Sequence, residues 1–357
     1  MKRRLPGLAV VALAAAVALV LPPLLGTSQL TVYVLLGLAA IVTTGVGMLM
    51  GYAGQVSLGQ AAFYAVGAYT AGLMATHGLP PLLGLACAPL AAAAVAALVG
   101  VPLLRLRGHY LAFATVALQL ILLSVAGQAS FTGGDIGLQG VPQFAVGGVT
   151  LSGGVSYAYL TLAAVALVLL LTRNVIGSRP GRGLRALATS EAAAASAGVP
   201  VGRYKLAVFS LSAAYAGLAG GIYAFYLGYV APGSFPVLLS FEYVVMAVVG
   251  GLGTLWGAVA GATVVTLLQQ ALTQLGTRPG MPSYAPGVLS YALYGLLLVL
   301  VLLFLPRGLL PGIAAWRARR GRAAPEAASV PASGSAAPEM APQLRSRQAP
   351  SEPPPPR

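Results

Sequence analysis

The sequence predicts an all-α, polytopic integral membrane protein: a bundle of about ten transmembrane helices with both termini in the cytoplasm. Hydrophobic residues occupy 58% of the 357 positions and charged residues only 7%, whereas soluble domains carry roughly 25% charged residues. The apolar runs recur at the length of about 20 residues that crosses a bilayer core. They do not alternate every second residue, as the strands of a membrane barrel would.

Ten apolar runs follow one another along the chain. The first, residues 5–25, follows a basic N-terminus and lacks a small-x-small cleavage site, so we interpret it as a retained helix and not as a removed signal peptide. The remaining runs lie at about 28–50, 57–76, 82–104, 109–128, 155–173, 206–230, 237–251, 256–276 and 286–305.

The basic residues support this count, because cytoplasmic loops hold most of the Lys and Arg of a membrane protein. Ten spans that begin inside leave only Arg278 outside, together with the acidic Asp135. We therefore attribute the formal charge of +14 to the cytoplasmic loops of a membrane protein and not to nucleic-acid binding. The basic residues placed inside are Arg105, Arg107, Arg173, Arg179, Arg182, Arg185, Arg203, Lys205, Arg307 and the arginines of 317–322.

The composition changes after the last span. Residues 1–313 form the predicted transmembrane domain, and residues 314–357 form a tail that begins with WRARRGR and ends in PSEPPPPR. The tail is rich in Pro, Ala and Ser and has little apolar surface to bury, so we predict a disordered cytoplasmic segment. Its first arginines would lie near anionic lipid headgroups.

Groups that perform chemistry are scarce. Neither Lys2 nor Lys205 follows a GxxxxG pattern, so the chain lacks a phosphate-binding loop. The one cysteine, Cys87, cannot form a disulfide within the chain or a thiolate metal site. His77 and His109 lie on opposite predicted faces without a carboxylate cluster. We predict no catalytic residue, no metal site and no cofactor, and a source of energy in partner proteins.

One carboxylate lies inside a predicted span. Glu242 is in the short run 237–251, and acidic residues within spans often mark a path for ions or polar solutes. Two interpretations stay open: a polar group on a translocation path, or a helix-end carboxylate near the outer surface. The second is favoured, because no chain of Asp, Glu or His accompanies it.

The longest cytoplasmic segment is residues 173–205. Its alanine-rich part predicts a short helix over about 183–197, with Gly198 as a stop signal. Such a helix either docks in a groove of a partner protein or merely lies on the membrane surface as a connector. One face of it carries Leu184, Leu187 and Ala188, with Glu191 nearby.

Small residues recur four apart in two late segments. The run GLAGG contains Gly217 and Gly221, and GGLGTLWGAVAG contains Gly253, Gly257 and Gly261. Glycines at this spacing let helix backbones approach closely in lipid. We predict that these residues mark helix-packing seams.

Five motifs, in order, resemble one known family. They are GYAGQVSLGQAAFYAVGAYTAGLM, LRLRGHYLAFATVAL, FTGGDIGLQGVP, the stretch from GRGLRALATSEAAAASAGVPVGRYK through YVAPGSF, and VVMAVVGGLGTLWGAVAGA. Together they resemble the LivM-type permease subunit of branched-chain amino acid ABC transporters over roughly residues 30–305. The resemblance implies a non-catalytic, multi-pass protein of the cell inner (cytoplasmic) membrane that imports amino acids.

The resemblance also implies partners. They are a LivH-type sister permease, two cytoplasmic ATPase subunits that bind the ATP, and a periplasmic or lipid-anchored substrate-binding protein, besides membrane lipid. Two features depart from the family: His109 stands at a variable position, and an alanine run at 192–195 replaces a more mixed helix. Carried over by position, the ATPase-coupling residues are Arg182, Arg185, Leu187, Glu191 and Gly198, and the loop that faces the binding protein contains Gly133, Gly134 and Asp135.

The stretch GYAGQVSLGQAAFYAVGAY, residues 51–69, is glycine-rich and polar between two apolar runs. Non-helical backbone at membrane depth is tolerated where protein or a water-filled cavity surrounds it, and such segments often line a substrate path. A cytoplasmic turn before a packing helix fits the span count equally well. Under the first interpretation the path residues are Gln55, Ser57, Gln60, Tyr64 and Tyr69.

The predicted function is a permease subunit that imports branched-chain or related hydrophobic amino acids with ATP hydrolysed by its partners. The alternatives are a permease of the same type for urea, short amides or small organic acids, and a self-sufficient channel. The scarcity of paired polar residues in the spans argues against an intramembrane enzyme.

Overall fold

The computed structural model of the chain describes residues 16–106, 108–147 and 149–276, and five single positions between 287 and 296. Most of the tenth predicted span and of the first, Arg107, Arg278 and the tail from 314 lie outside the described residues. After a helical stretch at 16–20 come ten helices: α1 Thr27–Ala53, α2 Gln60–Thr76, α3 Pro81–Leu103, α4 His109–Gln128, α5 Gly154–Gly177, α6 Arg179–Thr189, α7 Glu191–Ser196, α8 Val201–Leu227, α9 Val237–Gly250 and α10 Leu255–Gly276.

The predicted polytopic helical bundle is confirmed. Seven helical segments are long and apolar enough to cross a membrane: α1, α3, α4, α5, α8, α10, and Pro232–Gly250, which joins α9 to a preceding 3-10 turn. The remaining helix of the bundle, α2, has 17 residues. These eight elements correspond to eight of the ten predicted spans, with ends shifted by a few residues.

The centre of the bundle is formed by α1 and α8, which are mostly buried, whereas less than a third of the residues of α3, α4, α5 and α10 are buried. The helix α8 packs against α1, α2 and α3. Small residues allow this close packing: a Cβ added to Gly217 of α8 would lie 2.6 Å from the Ala92 Cβ of α3. The outer surface of α4 is apolar, as expected for contact with lipid or another apolar surface, and carries Tyr110, Phe113, Leu120 and Ile121.

The basic residues of the described region gather at one end of the bundle, here called the basic end. The helix α6 contacts α1, α5 and α8, and Gly100 near the end of α3 packs against Leu206 near the start of α8. The positive-inside rule assigns this end to the cytoplasm. The residues are Arg105, Arg173, Arg179, Arg182, Arg185, Arg203 and Lys205.

The opposite end is closed by the loop between α4 and α5. It contains 3-10 turns at Ser130–Thr132 and Gly134–Ile136 and a small antiparallel hairpin of β1 (Ala145–Val146) and β2 (Val149–Thr150). An isolated antiparallel bridge pairs Leu138 with Val230, just beyond α8. The buried Tyr157 hydroxyl of α5 accepts from the Phe144 N–H at 3.0 Å and donates to the Phe225 carbonyl at 2.9 Å. These bonds tie the loop to the bundle.

The helix predicted over 183–197 is wrong in its bounds. It begins four residues earlier, at Arg179, because the Ser178 hydroxyl accepts a hydrogen bond from the Gly181 N–H at 3.4 Å and caps α6. It is interrupted at Ser190, whose hydroxyl accepts from the Ala193 N–H at 3.3 Å and caps the short α7. Serine competes with helix propagation in this way, because its side chain satisfies the N–H groups at a helix start.

Candidate functional site

The glycine-rich stretch forms a break between α1 and α2. Gly54 ends α1 in a left-handed conformation, φ 62°, and residues 54–59 are non-helical before Gln60 begins α2. We call residues 54–60 the polar break. Two hydrogen bonds fix its position: the Leu58 N–H donates to Thr115 Oγ1 of α4 at 2.9 Å, and the Ala61 N–H donates to Ser240 Oγ of α9 at 2.9 Å.

These contacts place the start of α2 inside the bundle. Thr115 lies six residues into α4 from His109 at the basic end, or about 9 Å at 1.5 Å per residue. Gly45 of α1, eight residues before the end of that helix, packs against Ser212 of α8. The polar break therefore turns back from the end of α1 into the protein, and α2 spans only the remaining distance to the opposite end.

Three side chains of the polar break are buried and unpaired. Gln55, Ser57 and Gln60 are 2%, 1% and 0% exposed. Both amide atoms of each glutamine and the serine hydroxyl lack a hydrogen-bond partner among the residues that the structure describes. Buried polar groups are normally paired, and an unpaired one costs about 1–3 kcal/mol. The presence of three buried, unpaired side chains within six residues distinguishes this segment from the packed core around it.

Beside the polar break lies a fully paired polar cluster that the sequence analysis missed. Ser240 Oγ donates to Gln119 Oε1 at 2.8 Å, and Gln119 Nε2 donates to the Phe235 carbonyl at 3.2 Å. Thr115, Gln119 and Ser240 are all completely buried. A glutamine in the middle of the apolar run 109–128 is the sequence feature that could have identified them.

A cleft of about 290 Å³ lies in the half of the bundle away from the basic end. Tyr64, Tyr223 and Tyr243 line it. The ring of Tyr64 contacts Phe235, Tyr223 and Tyr243, with ring centroids 5.4, 5.5 and 6.4 Å apart, and Phe235 also contacts Tyr223. We call these four residues the aromatic cluster. The other lining residues are Val32, Leu35, Leu38, Ala39, Ser234, Leu239, Glu242, Met246, Thr266, Gln269, Gln270 and Thr273.

The five predicted path residues do not all meet. Tyr64 reaches the cleft, and Gln60, one helical turn earlier, lies on the same side of α2 as Tyr64 by helical spacing. Gln55 and Ser57 lie in the break beside Gln60. Tyr69 is buried, with an unpaired hydroxyl among the described residues, but its position in α2 is nearly opposite to Tyr64 and it does not line the cleft. Glu242 lines the cleft and is the sixth residue of α9, so it does not lie at the helix end.

The segment carried over as ATPase-coupling lies at the basic end. Arg182 and Arg185 are exposed on α6, whereas Leu187 is buried with Leu184 against the bundle. Leu187 therefore anchors α6 and offers no surface to another protein. Glu191 is exposed and bonds to Lys205 of α8 at 2.7 Å, and Gly198 ends the segment with φ 81°.

The loop expected to face a binding protein lies at the opposite end. Gly133 and Asp135 are exposed and Gly134 is half-buried. Two large apolar residues flank them in the open, Phe131 and Ile136. The tight turn there needs glycine, since Gly133 and Gly134 have φ 83° and 63°.

The predicted packing glycines lie at helix contacts. A Cβ added to Gly221 of α8 would lie 3.1 Å from Ala88 of α3, and one added to Gly257 would lie 2.8 Å from the Gly250 carbonyl of α9. Gly261 packs directly on the Met246 carbonyl. Gly253 has φ 74° and lies in the turn between α9 and α10, against Gly51 of α1.

The histidines and the cysteine form no cluster. His77 Nδ1 bonds to the Leu73 carbonyl at 2.7 Å at the end of α2, and His109 begins α4 at the basic end. Cys87 is half-buried in α3. Within the described part of the chain, no group of three or more His, Cys, Asp or Glu side chains could hold a metal ion.

Comparison with known proteins identifies similar chains. The family described as branched-chain amino acid transport system / permease component matches residues 9–302. The high-affinity branched-chain amino acid transport system permease protein LivM of Escherichia coli (strain K12) is 31% identical over 305 residues, covering 78% of this chain and 68% of that protein. The protein of the same name from Salmonella typhimurium is 30% identical over the same shares.

A more distant relative comes from an archaeon. The probable branched-chain amino acid transport permease protein LivM of Methanocaldococcus jannaschii is 25% identical over 315 residues, covering 77% of this chain and 91% of that protein. No solved structure shows a significant match. The family and these relatives confirm the resemblance found in the five sequence motifs.

Proposed function

Because the chain belongs to the branched-chain amino acid transport permease family, we propose that it is the membrane-spanning permease subunit of an ATP-binding cassette importer for branched-chain or related hydrophobic amino acids. It is a multi-pass membrane protein, and its own residues provide the path while partner subunits bind and hydrolyse ATP. The observation that carries the proposal is the exposed helix α6 at the basic end, which is anchored to the bundle and presents two arginines outward.

The anchoring of α6 supports a mechanical role. Leu184 and Leu187 are buried against the bundle, and α6 contacts α1, α5 and α8. A push on α6 by a cytoplasmic ATPase would therefore reach α1, which leads directly into the polar break. Arg182 and Arg185 remain free to meet acidic or polar groups of the partner, since guanidinium groups make strong bidentate bonds to carboxylates.

Exposed residues at the opposite end of the bundle support the proposal that a binding protein delivers the substrate there. Asp135 stands exposed between Phe131 and Ile136, and exposed apolar residues beside a charge are typical of a docking surface. A sister permease of the LivH type would pair with this chain in the membrane. The path would then run from the cleft, past the aromatic cluster, to the polar break and the cytoplasm.

Reconstitution of the full complex tests the proposal. The chain is purified with its native sister permease, ATPases and binding protein, and ATP-driven uptake into proteoliposomes is measured for leucine, isoleucine and valine against urea and acetamide. We expect uptake of the amino acids only with ATP. Uptake of urea or acetamide alone would support the alternative substrates, and flux with no ATPase present would support a channel.

A variant pair tests the coupling helix. Arg185→Ala should lower both uptake and substrate-stimulated ATP hydrolysis about tenfold, equivalent to roughly 1.4 kcal/mol of coupling. The matched control is Arg105→Ala, which removes an exposed arginine from a different loop at the same end. Equal activity of the two variants would contradict the assignment of α6.

A further inference from the structure

We infer that the start of α2, together with Ser57 and Gln60 of the polar break, binds the carboxylate of the transported amino acid inside the membrane. The inference rests on the proposed function and names the groups that hold the substrate. It would make the polar break a binding site for a carboxylate that no cationic side chain accompanies.

The first observation is the position of the helix start. The N-terminus of an α-helix carries a partial positive charge of about half an elementary charge and favours anions. The start of α2 lies inside the bundle, between Thr115 of α4 and Ser240 of α9. In a low-dielectric interior this partial charge is poorly screened, so it attracts a carboxylate more strongly than a helix start at the surface does.

The second observation is the set of unpaired groups at this start. The hydroxyl of Ser57 and the amide of Gln60 lack a partner among the described residues, and these side chains are 1% and 0% exposed. Each can donate a hydrogen bond, as can the equally buried amide of Gln55. The amide oxygens can also accept from the ammonium group of a zwitterion. The neighbouring Thr115, Gln119 and Ser240 are paired, so the unpaired groups beside them are those of the polar break.

The third observation is the absence of a counter-charge. Every Lys and Arg in the part of the chain that the structure describes lies at the basic end and none in the interior. A carboxylate that enters the bundle must therefore be held by neutral donors and the helix start.

The aromatic cluster separates this site from the cleft. Tyr64 is one helical turn beyond Gln60 on the same side of α2, and it packs on Tyr223, Phe235 and Tyr243. Phe235 is fully buried behind the cleft. A substrate in the cleft reaches the start of α2 only after Tyr64 moves, and its apolar side chain would then contact the aromatic rings while its carboxylate meets Ser57 and Gln60.

Ligand binding to variants tests the inference. The full-length chain is incorporated with its sister permease and ATPases in nanodiscs without the binding protein, and ligand-observed NMR titrations measure the Kd. The probes are L-leucine, 4-methylpentanoate, which keeps the carboxylate, and L-leucinol, which lacks it. We expect leucine and 4-methylpentanoate to bind and leucinol to bind at least about tenfold more weakly, since leucinol lacks the charged acceptor of these hydrogen bonds.

The variants are Gln60→Leu, Ser57→Ala and, as a matched control, Ser212→Ala. Ser212 is also fully buried and unpaired in the described region but lies in the seam between α1 and α8. Gln60→Leu should weaken leucine binding about tenfold while its Tm stays equal or rises, because an unpaired buried polar group is removed. A simple structural role for Gln60 predicts the opposite change in Tm.

The outcomes separate the inference from the proposed function. Equal binding of leucine and leucinol, or unchanged leucine binding in Gln60→Leu and Ser57→Ala, would overturn the inference while leucine uptake by the complete complex upholds the proposed function. Loss of binding in Ser212→Ala as large as in Ser57→Ala would also overturn the inference. Absence of leucine uptake by the complete wild-type complex would overturn the proposed function and the carboxylate site with it.

Discussion

Two non-helical reversals lie near the basic end, and they differ in how their polar groups are paired. The polar break leaves three buried side chains without partners among the described residues. The turn between α9 and α10, residues 251–254, here called the glycine turn, pairs its groups: Thr254 Oγ1 donates to the Gly251 carbonyl at 2.8 Å, and the Tyr52 hydroxyl donates to the Gly253 carbonyl at 2.7 Å. The glycine turn therefore has partners for these polar groups, one within the turn and one from α1.

This difference in pairing distinguishes a segment that stabilises the fold from one that serves transport. Unpaired buried groups lower the stability of a fold and persist where they serve another purpose. The glycine turn, in contrast, has the properties of a structural joint, because Gly51 of α1 packs on the backbone of Gly253. We therefore expect substitutions in the glycine turn to change folding and substitutions in the polar break to change transport.

The largest expected effect is at the contact between the last turn of α1, just before the polar break, and the glycine turn. A Cβ added to Gly51 would lie 2.7 Å from Gly253 Cα, so Gly51→Ala should lower the yield of monodisperse protein severalfold, as judged by size-exclusion chromatography after detergent extraction. Backbone atoms cannot move away as a flexible side chain can. The control is Gly47→Ala, one turn earlier in α1, where the nearest atom would be Ala258 Cβ at 3.8 Å. Equal yields of the two variants would contradict close packing here.

The second effect concerns the bond that holds the polar break in place. Thr115→Val keeps the volume of the side chain but leaves the half-buried Leu58 N–H without its partner at 2.9 Å. Loss of that partner should cost about 1–3 kcal/mol, measured as a lower Tm in a thermal unfolding assay, and should reduce transport. Thr263→Val is a suitable control, since Thr263 bonds only within its own helix, to the Val259 carbonyl. A Tm loss confined to the control would refute the role of Thr115.

A smaller effect is expected at the glycine turn. Tyr52→Phe removes only the hydroxyl that donates to the Gly253 carbonyl, which should cost about 1 kcal/mol. Transport per folded molecule should remain near the wild-type value, because the polar break keeps its own groups. Tyr110→Phe, on the exposed surface of α4, serves as the reference for the Tm measurement. A Tyr52→Phe protein of normal Tm that no longer transports would contradict the division between the two reversals.

The smallest effect on stability is expected for the exposed apolar side chains of the two reversals. Val56 of the polar break and Leu252 of the glycine turn are both 40% exposed. Truncation of either to Ala should change the free energy of unfolding by less than about 0.5 kcal/mol. A large loss of stability in Leu252→Ala alone would show that the glycine turn is anchored by its side chain and not by its backbone.

The sequence predicts the helices better than it predicts their depth. Eight described spans agree with apolar length and charge placement, because both are local properties of the chain. The start of α2 inside the bundle depends on Thr115 and Ser240, which are 57 and 179 residues away from their partners in the chain. The contact of Glu242 with the cleft likewise arises from packing between distant helices. No local pattern contains that information.

The most direct measurement of whether the polar break lines the transport path is cysteine accessibility in the assembled complex. In a Cys87→Ala background, Ser57→Cys and Ser212→Cys place thiols at two equally buried sites. A small water-soluble thiol reagent is applied to proteoliposomes with and without ATP, binding protein and leucine. We expect modification of Cys at 57 during turnover, suppressed when ATP is omitted, and no modification at 212. Equal labelling at the two positions, or no labelling at 57 in an actively transporting complex, would contradict a path through the polar break.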